Sequence, residues 1–176
     1  MRTRPDRTEA APFYFTYIDK VPDGDILDLL ETQGREVVAL LRAIPDARSA
    51  HRYAEGKWSI REVVNHINDT ERVFSFRALW FARGFEGALP GFDQDRGVAA
   101  ARADNSPWTA LVGEFEALRA ATLALFRSLP EEAWTRGGIA SEKQVSVNAL
   151  AYMVAGHVIH HVGVLKTRYL GEDRRV

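Results

Sequence analysis

Four stretches of this chain carry apolar residues at intervals of three and four, and none sustains the alternate-residue pattern of a strand. That periodicity gives each of four helices one apolar stripe, and 176 residues leave room for a single shared core. The predicted fold is all-α, a four-helix bundle. The first helix covers about 25–41, with Ile26, Leu29, Leu30, Val37, Leu40 and Leu41 on its stripe. It ends at Ile44-Pro45-Asp46, because a residue preceding proline is pushed out of helical geometry. The second starts at Ser59, with Glu62 three positions on in the S-x-x-E pattern of a capping box. Ile60, Val63, Val64, Ile67 and Phe74 form its buried face, and it stops near Gly84. Ser106-Pro107 supplies an N-cap and a first-turn proline for the third helix, which carries Leu111, Phe115, Leu118, Leu125 and Leu129. The fourth follows Ser146 and reaches about Leu170, with Gly171 as its C-terminal stop.

Between the second and third helices, residues 85–106 show no regular pattern and read as a crossover or a functional loop. Residues 1–22 read as an N-terminal tail and short extension, with Arg2, Arg4 and Arg7 as a solvated charge run. Residues 23–171 read as the bundle domain.

Composition removes several classes of function. A net charge of -1 with no basic stripe argues against a nucleic-acid partner. No run approaches the roughly 18 apolar residues of a membrane span, and Ala10 to Tyr17 is too short for a secretory signal, so the expected location is the cytoplasm. Cysteine is absent, which excludes disulfides, cysteine nucleophiles and thiolate metal sites. Any transition metal must be held by His, Asp or Glu.

The fourth helix carries that chemistry. Leu150, Val154, His157, His161 and Val164 follow the spacing of a core seam, yet two of its positions are histidine. His157 and His161 are four residues apart, so their imidazoles leave the same helix face one turn from each other. Inward histidines can be satisfied singly by backbone carbonyls or buried water; alternatively, one metal ion satisfies both. Val158 stands where a zinc protease has the glutamate of H-E-x-x-H, so that reading fails. His66, at the edge of the second helix's apolar face, is the candidate third ligand. Three neutral nitrogens would leave a coordination position open and suit zinc, nickel, iron or copper. Glu62, one turn before His66, and His160, turned about 100° from His161, are candidates for orienting the ligands. His51, Asp69 and Glu71 read as solvent-facing, and no catalytic base is assigned.

Trp58-Ser59-Ile60-Arg61-Glu62-Val63-Val64-Asn65-His66 resembles the W-S-x-x-E-x-x-x-H segment of the DinB-like (DinB/YfiT) superfamily. Gly156-His157-Val158-Ile159-His160-His161-Val162-Gly163 resembles that family's H-x-x-H-H signature. Leu89-Pro90-Gly91-Phe92-Asp93, and the helix with Leu118-Arg119, resemble its middle region. The resemblance implies an up-up-down-down bundle with a long crossover, often a homodimer. It also implies one divalent metal per chain (Zn, Ni or Fe) on His66, His157 and His161. The activity it implies is metal-dependent transfer of a low-molecular-weight thiol of the bacillithiol or mycothiol type to a small-molecule substrate. The alternatives are metal-dependent hydrolysis at the same site, or a non-catalytic metal-binding stress protein.

Overall fold

The computed structural model describes residues 3–171. Seven α-helices appear among them: α1 (Phe15–Ile18), α2 (Ile26–Arg42), α3 (Asp46–Ser49), α4 (Ile60–Ala82), α5 (Gln94–Ala101), α6 (Trp108–Arg127) and α7 (Val147–Val164). The long helices α2, α4, α6 and α7 form the bundle: α4 packs on both α6 and α7, and α2 on α6 and α7. Their starts follow from local chemistry. Asp25 accepts from the Leu27 N–H at the head of α2, Ser146 caps α7 through the Ala149 N–H, and Ser59 and Glu62 close a reciprocal capping box on α4. The last turn of the α7 rod widens into a π-helix, Leu165–Tyr169, before Gly171 at φ 72°.

The structure corrects several sequence expectations. Residues 85–106 are not irregular throughout: Asp93 caps α5, and a 3₁₀ turn, Ala103–Asn105, precedes α6. Eight residues with Val98 as their one buried member are too short and too weakly apolar to show a stripe. The N-cap of α6 is Pro107 rather than Ser106, whose side chain makes no cap. Two four-residue strands, β1 (Gly137–Ala140) and β2 (Lys143–Ser146), pair antiparallel. Their Gly137-Gly138 start hides any alternation, and Gly138 is needed because a Cβ there would lie 2.4 Å from Phe81 Cε1.

The N-terminal segment is part of the packed structure. Tyr14, Phe15, Ile18 and Val21 are buried in the main core cluster, and Arg4 donates to the carbonyls of Ile18 and Val21 instead of standing in solvent. Arg2 lies outside the described residues, and Arg7 pairs with Asp19. Gly156 lets this segment approach α7, since a Cβ there would meet the Tyr17 carbonyl oxygen at 2.1 Å. No described helix is long and apolar enough to cross a membrane.

The bundle interior has two apolar clusters. One gathers Phe74, Phe126, Tyr152, Val154 and Ala155 with the N-terminal segment. The other gathers Val63, Ile67, Trp108, Phe115 and Val158. Where they meet on α4 and α7, both helices turn polar residues inward, among them His66, Thr70, Glu71 and His157.

Candidate metal centre

α4 and α7 place the histidines face to face. His66 is 2% exposed and His157 4%, while His161, one turn nearer the end of α7, is partly open. One ring nitrogen from each of His66, His157 and His161 lies within 4.8 Å of the others. The Nε2 atoms of His66 and His157 are 3.0 Å apart. Two nitrogens bound to one tetrahedral ion at about 2.1 Å would sit roughly 3.4 Å apart, so the donor set fits a single transition ion. The ring centroids stand 4.9, 4.8 and 4.4 Å from one another, all edge-on.

Protonation favours ligation. Burial lowers the His66 pKa to about 4, an effect offset in part by Asp95 and reinforced by His160. Burial, followed by the charges of His66 and His160, takes His161 to about 3. His157 is also held well below its ordinary value, chiefly by burial and then by its histidine neighbours. All three are neutral at pH 7 and keep a lone pair for a cation.

Packing fixes the rings. Trp58 stacks at a tilt against His66 with centroids 5.0 Å apart, and Phe74 meets His157 edge-on. Tyr17, brought in by its approach to Gly156, contacts both His157 and His160. The Thr70 hydroxyl lies 3.4 Å from His66 Nδ1, one helical turn away. With Nδ1 carrying the proton and donating to Thr70 Oγ1, the His66 Nε2 lone pair points to the cluster.

The expected supporting residues fall differently. Glu62 accepts from the Ser59 N–H and pairs with Arg52, with no hydrogen bond to His66; the hydroxyl near His66 Nδ1 belongs to Thr70, which sequence reading missed. His160 sits beside the His161 ring at 4.9 Å, half-buried against Tyr17. His51 is exposed as expected, edge-on to Tyr169. Asp69 is half-buried, bonds Asn65 and pairs with Arg72. Glu71 is not solvent-facing: it is 2% exposed and accepts two hydrogen bonds from Arg119. An inward carboxylate is tolerated where it meets a buried guanidinium, and its partner lies 48 residues away in sequence.

Beside the histidines opens a cavity of about 240 Å³, bounded by His66 and His157 at one end. Its walls are Phe13, Tyr14, Tyr17, Thr70, Phe74, Arg77, Phe92, Gln94, Ser141 and Lys143, with no Asp or Glu among them.

A helical bundle with inward histidines on facing helices is the architecture in which bundle proteins can build metal sites. Within it the family is specific: residues 29–165 match the DinB superfamily, and the chain belongs to it. A protein of Oceanobacillus iheyensis, called a "putative metal-dependent hydrolase", is 25% identical over 152 residues, which are 84% of this chain and 87% of that protein. The fold is shared with YfiT from Bacillus subtilis, described as a "probable metal-dependent hydrolase with an unusual four-helix bundle topology". The TM-score is 0.62 at 18% identity, covering 98% of this chain and 95% of YfiT. It is shared too with a mycothiol-dependent maleylpyruvate isomerase, at TM-score 0.67 and 18% identity, covering 82% of this chain and 61% of the isomerase. Relatives named as metal-dependent, together with the three-histidine cluster, suggest a divalent metal.

Proposed function

We propose that the protein is a metal-dependent enzyme in which His66, His157 and His161 hold a divalent transition ion and a small thiol is delivered to an electrophile in the adjoining cavity. The observation that carries this reading is the convergence of three neutral imidazoles beside a cavity that two of them help to line. A divalent ion there supplies Lewis acidity and lowers the pKa of a thiol from about 8.5 into the range where the thiolate prevails at neutral pH. The chain has no cysteine, so the thiol comes from a separate molecule. Thr70 holds the His66 ring in the ligating tautomer, and Trp58 and Phe74 keep water from the ring faces.

The cavity walls favour a thiol over water as the nucleophile. Water activation generally uses a carboxylate base, and none lines the cavity. Hydrolysis remains the second reading, supported by the names of the Oceanobacillus protein and YfiT. Asp95, whose charge reaches His66 from the first turn of α5, would be its base, although it is exposed and lies outside the cavity wall.

The test pairs untagged, metal-loaded protein with a panel of bacterial thiols and monochlorobimane, and runs a panel of esters and amides beside it. Metal-dependent conjugation with one thiol is the expected result. Turnover of an ester with no thiol present would instead select hydrolysis, and inactivity in both panels would remove the enzymatic proposal.

A further inference from the structure

Arg77 is a buried cation whose charge no described residue neutralises. It is 4% exposed and forms no ion pair among the described residues. One terminal nitrogen, Nη2, donates to the Pro90 carbonyl and to Ser141 Oγ, both at 2.9 Å. Those two bonds fix the guanidinium and leave Nη1 and Nε without a partner among the described residues. Neither atom is among the sealed, unsatisfied polar atoms, so both retain access to space, and Arg77 lines the cavity that ends on His66 and His157. Buried charges are ordinarily paired, because an uncompensated one is strongly destabilising. An unpaired guanidinium held at a cavity wall therefore marks where an anion from outside is received.

Helix geometry puts this group and the histidines on one line. Arg77 lies eleven positions after His66 on α4, just over three full turns, so both face the same side. Thr70 and Phe74 lie between them on that side. Phe92 supplies an aromatic wall, and Lys143 stands exposed at the same cavity.

We propose that the cavity selects a carboxylic acid: Arg77 binds the carboxylate, the ligand's middle lies against Phe74 and Phe92, and its reacting end meets His66 and His157. A carboxylate suits the position because one of its oxygens can accept a charge-assisted bond from the free Nε–H, and its single charge balances the one buried cation of the cavity wall. The inference rests on the enzymatic site proposed above and specifies the class of molecule it takes.

Its test needs no turnover, so failure of the catalytic proposal and failure of this one are separate results. Binding of 3-phenylpropionate and of its neutral amide is measured by calorimetry on the metal-loaded protein and again after metal removal. The acid is expected to bind at least about tenfold more tightly than the amide in both preparations. The substitution R77Q is expected to abolish that preference with metal content unchanged, and R77K to retain part of it. A preference that vanishes with the metal would place the carboxylate on the ion and overturn the assignment, as would a preference that survives R77Q. Because Arg77 also anchors Pro90 and Ser141, the wild-type Arg77 Nε–H resonance is followed during the same titration. Its failure to shift would overturn the proposal whatever the state of the variant.

Discussion

Two buried polar groups of residues lie at the same level of the bundle and are finished to different degrees. On the α2–α6 side, the Arg119 guanidinium donates through Nε and Nη2 to both oxygens of Glu71, at 2.9 and 2.8 Å, and through Nη1 to Gln33 Oε1 and the Leu30 carbonyl. Gln33 in turn donates to the Ala155 carbonyl, two residues before His157, so all four long helices are tied at this level. Gly34 leaves room for the Arg119 stem, which a Cβ would meet at 2.9 Å. On the α4–α7 side, three imidazoles face one another beside a cavity, and Arg77 has no counter-ion among the described residues. A closed network reads as architecture, whereas an open one at the same depth reads as a place for something absent from the chain.

The comparison breaks most visibly at the open side. Replacing His157 and His161 together with alanine is expected to lower bound metal from about one ion per chain to a trace, by elemental analysis of untagged protein. The helices should persist by circular dichroism, because their caps and apolar clusters are untouched. Metal content equal to wild type would show that the ion, if any, binds elsewhere.

On the closed side the expected loss is of stability. Glu71→Ala leaves a buried guanidinium uncompensated and should cost about 3–5 kcal/mol in denaturant unfolding. Arg42→Ala, which breaks the exposed pair with Glu116, should cost less than about 1 kcal/mol. Similar costs for the two would mean that the Glu71–Arg119 pair is not holding the helices together.

Acid separates the two sides further. In metal-free protein the histidine pKa values lie below the unfolded value of 6.5, near 4 for His66 and 3 for His161, with burial as the main cause. Above pH 6.5 both folded and unfolded chains carry neutral imidazoles and these groups add no pH dependence. As pH falls below that value the unfolded chain takes protons first, so folding stability declines down to the folded pKa values. Melting temperatures of the metal-free protein should therefore fall between pH 6.5 and 4, and the double histidine variant should fall less steeply. Parallel slopes would show that other groups govern the acid response.

How far each side could be read from the sequence follows the range of its contacts. The capping box at Ser59 and the four-residue step from His157 to His161 are local, and both stand in the structure as the spacing requires. His66 meets its partner 91 residues away, yet its place on an apolar stripe of a facing helix was enough to nominate it. Glu71 carries no comparable local sign, because only the arrival of Arg119 from α6 makes an inward carboxylate stable. The N-terminal segment was likewise hidden, since its docking depends on the missing side chain at Gly156 and not on any pattern of its own. Arg77 could be singled out by its three-turn register with His66, but that no described residue pairs with its charge is a property of the folded neighbourhood alone.

The smallest expected effect distinguishes which neighbour orients His66. Thr70→Val keeps the shape of the side chain and removes the hydroxyl 3.4 Å from Nδ1. A contact of that length is weak, so the loss in metal affinity should lie at the low end for an orienting partner, about tenfold. Glu62→Gln leaves that contact in place and weakens the α4 cap and the pair with Arg52, so it should lower stability by up to about 1 kcal/mol while metal affinity stays at the wild-type value. Competition titration against a chromogenic chelator reads the affinities, and thermal melts read the stabilities. If Glu62→Gln weakened metal binding and Thr70→Val did not, the orienting role would pass back to the carboxylate one turn before His66, where sequence spacing alone had placed it.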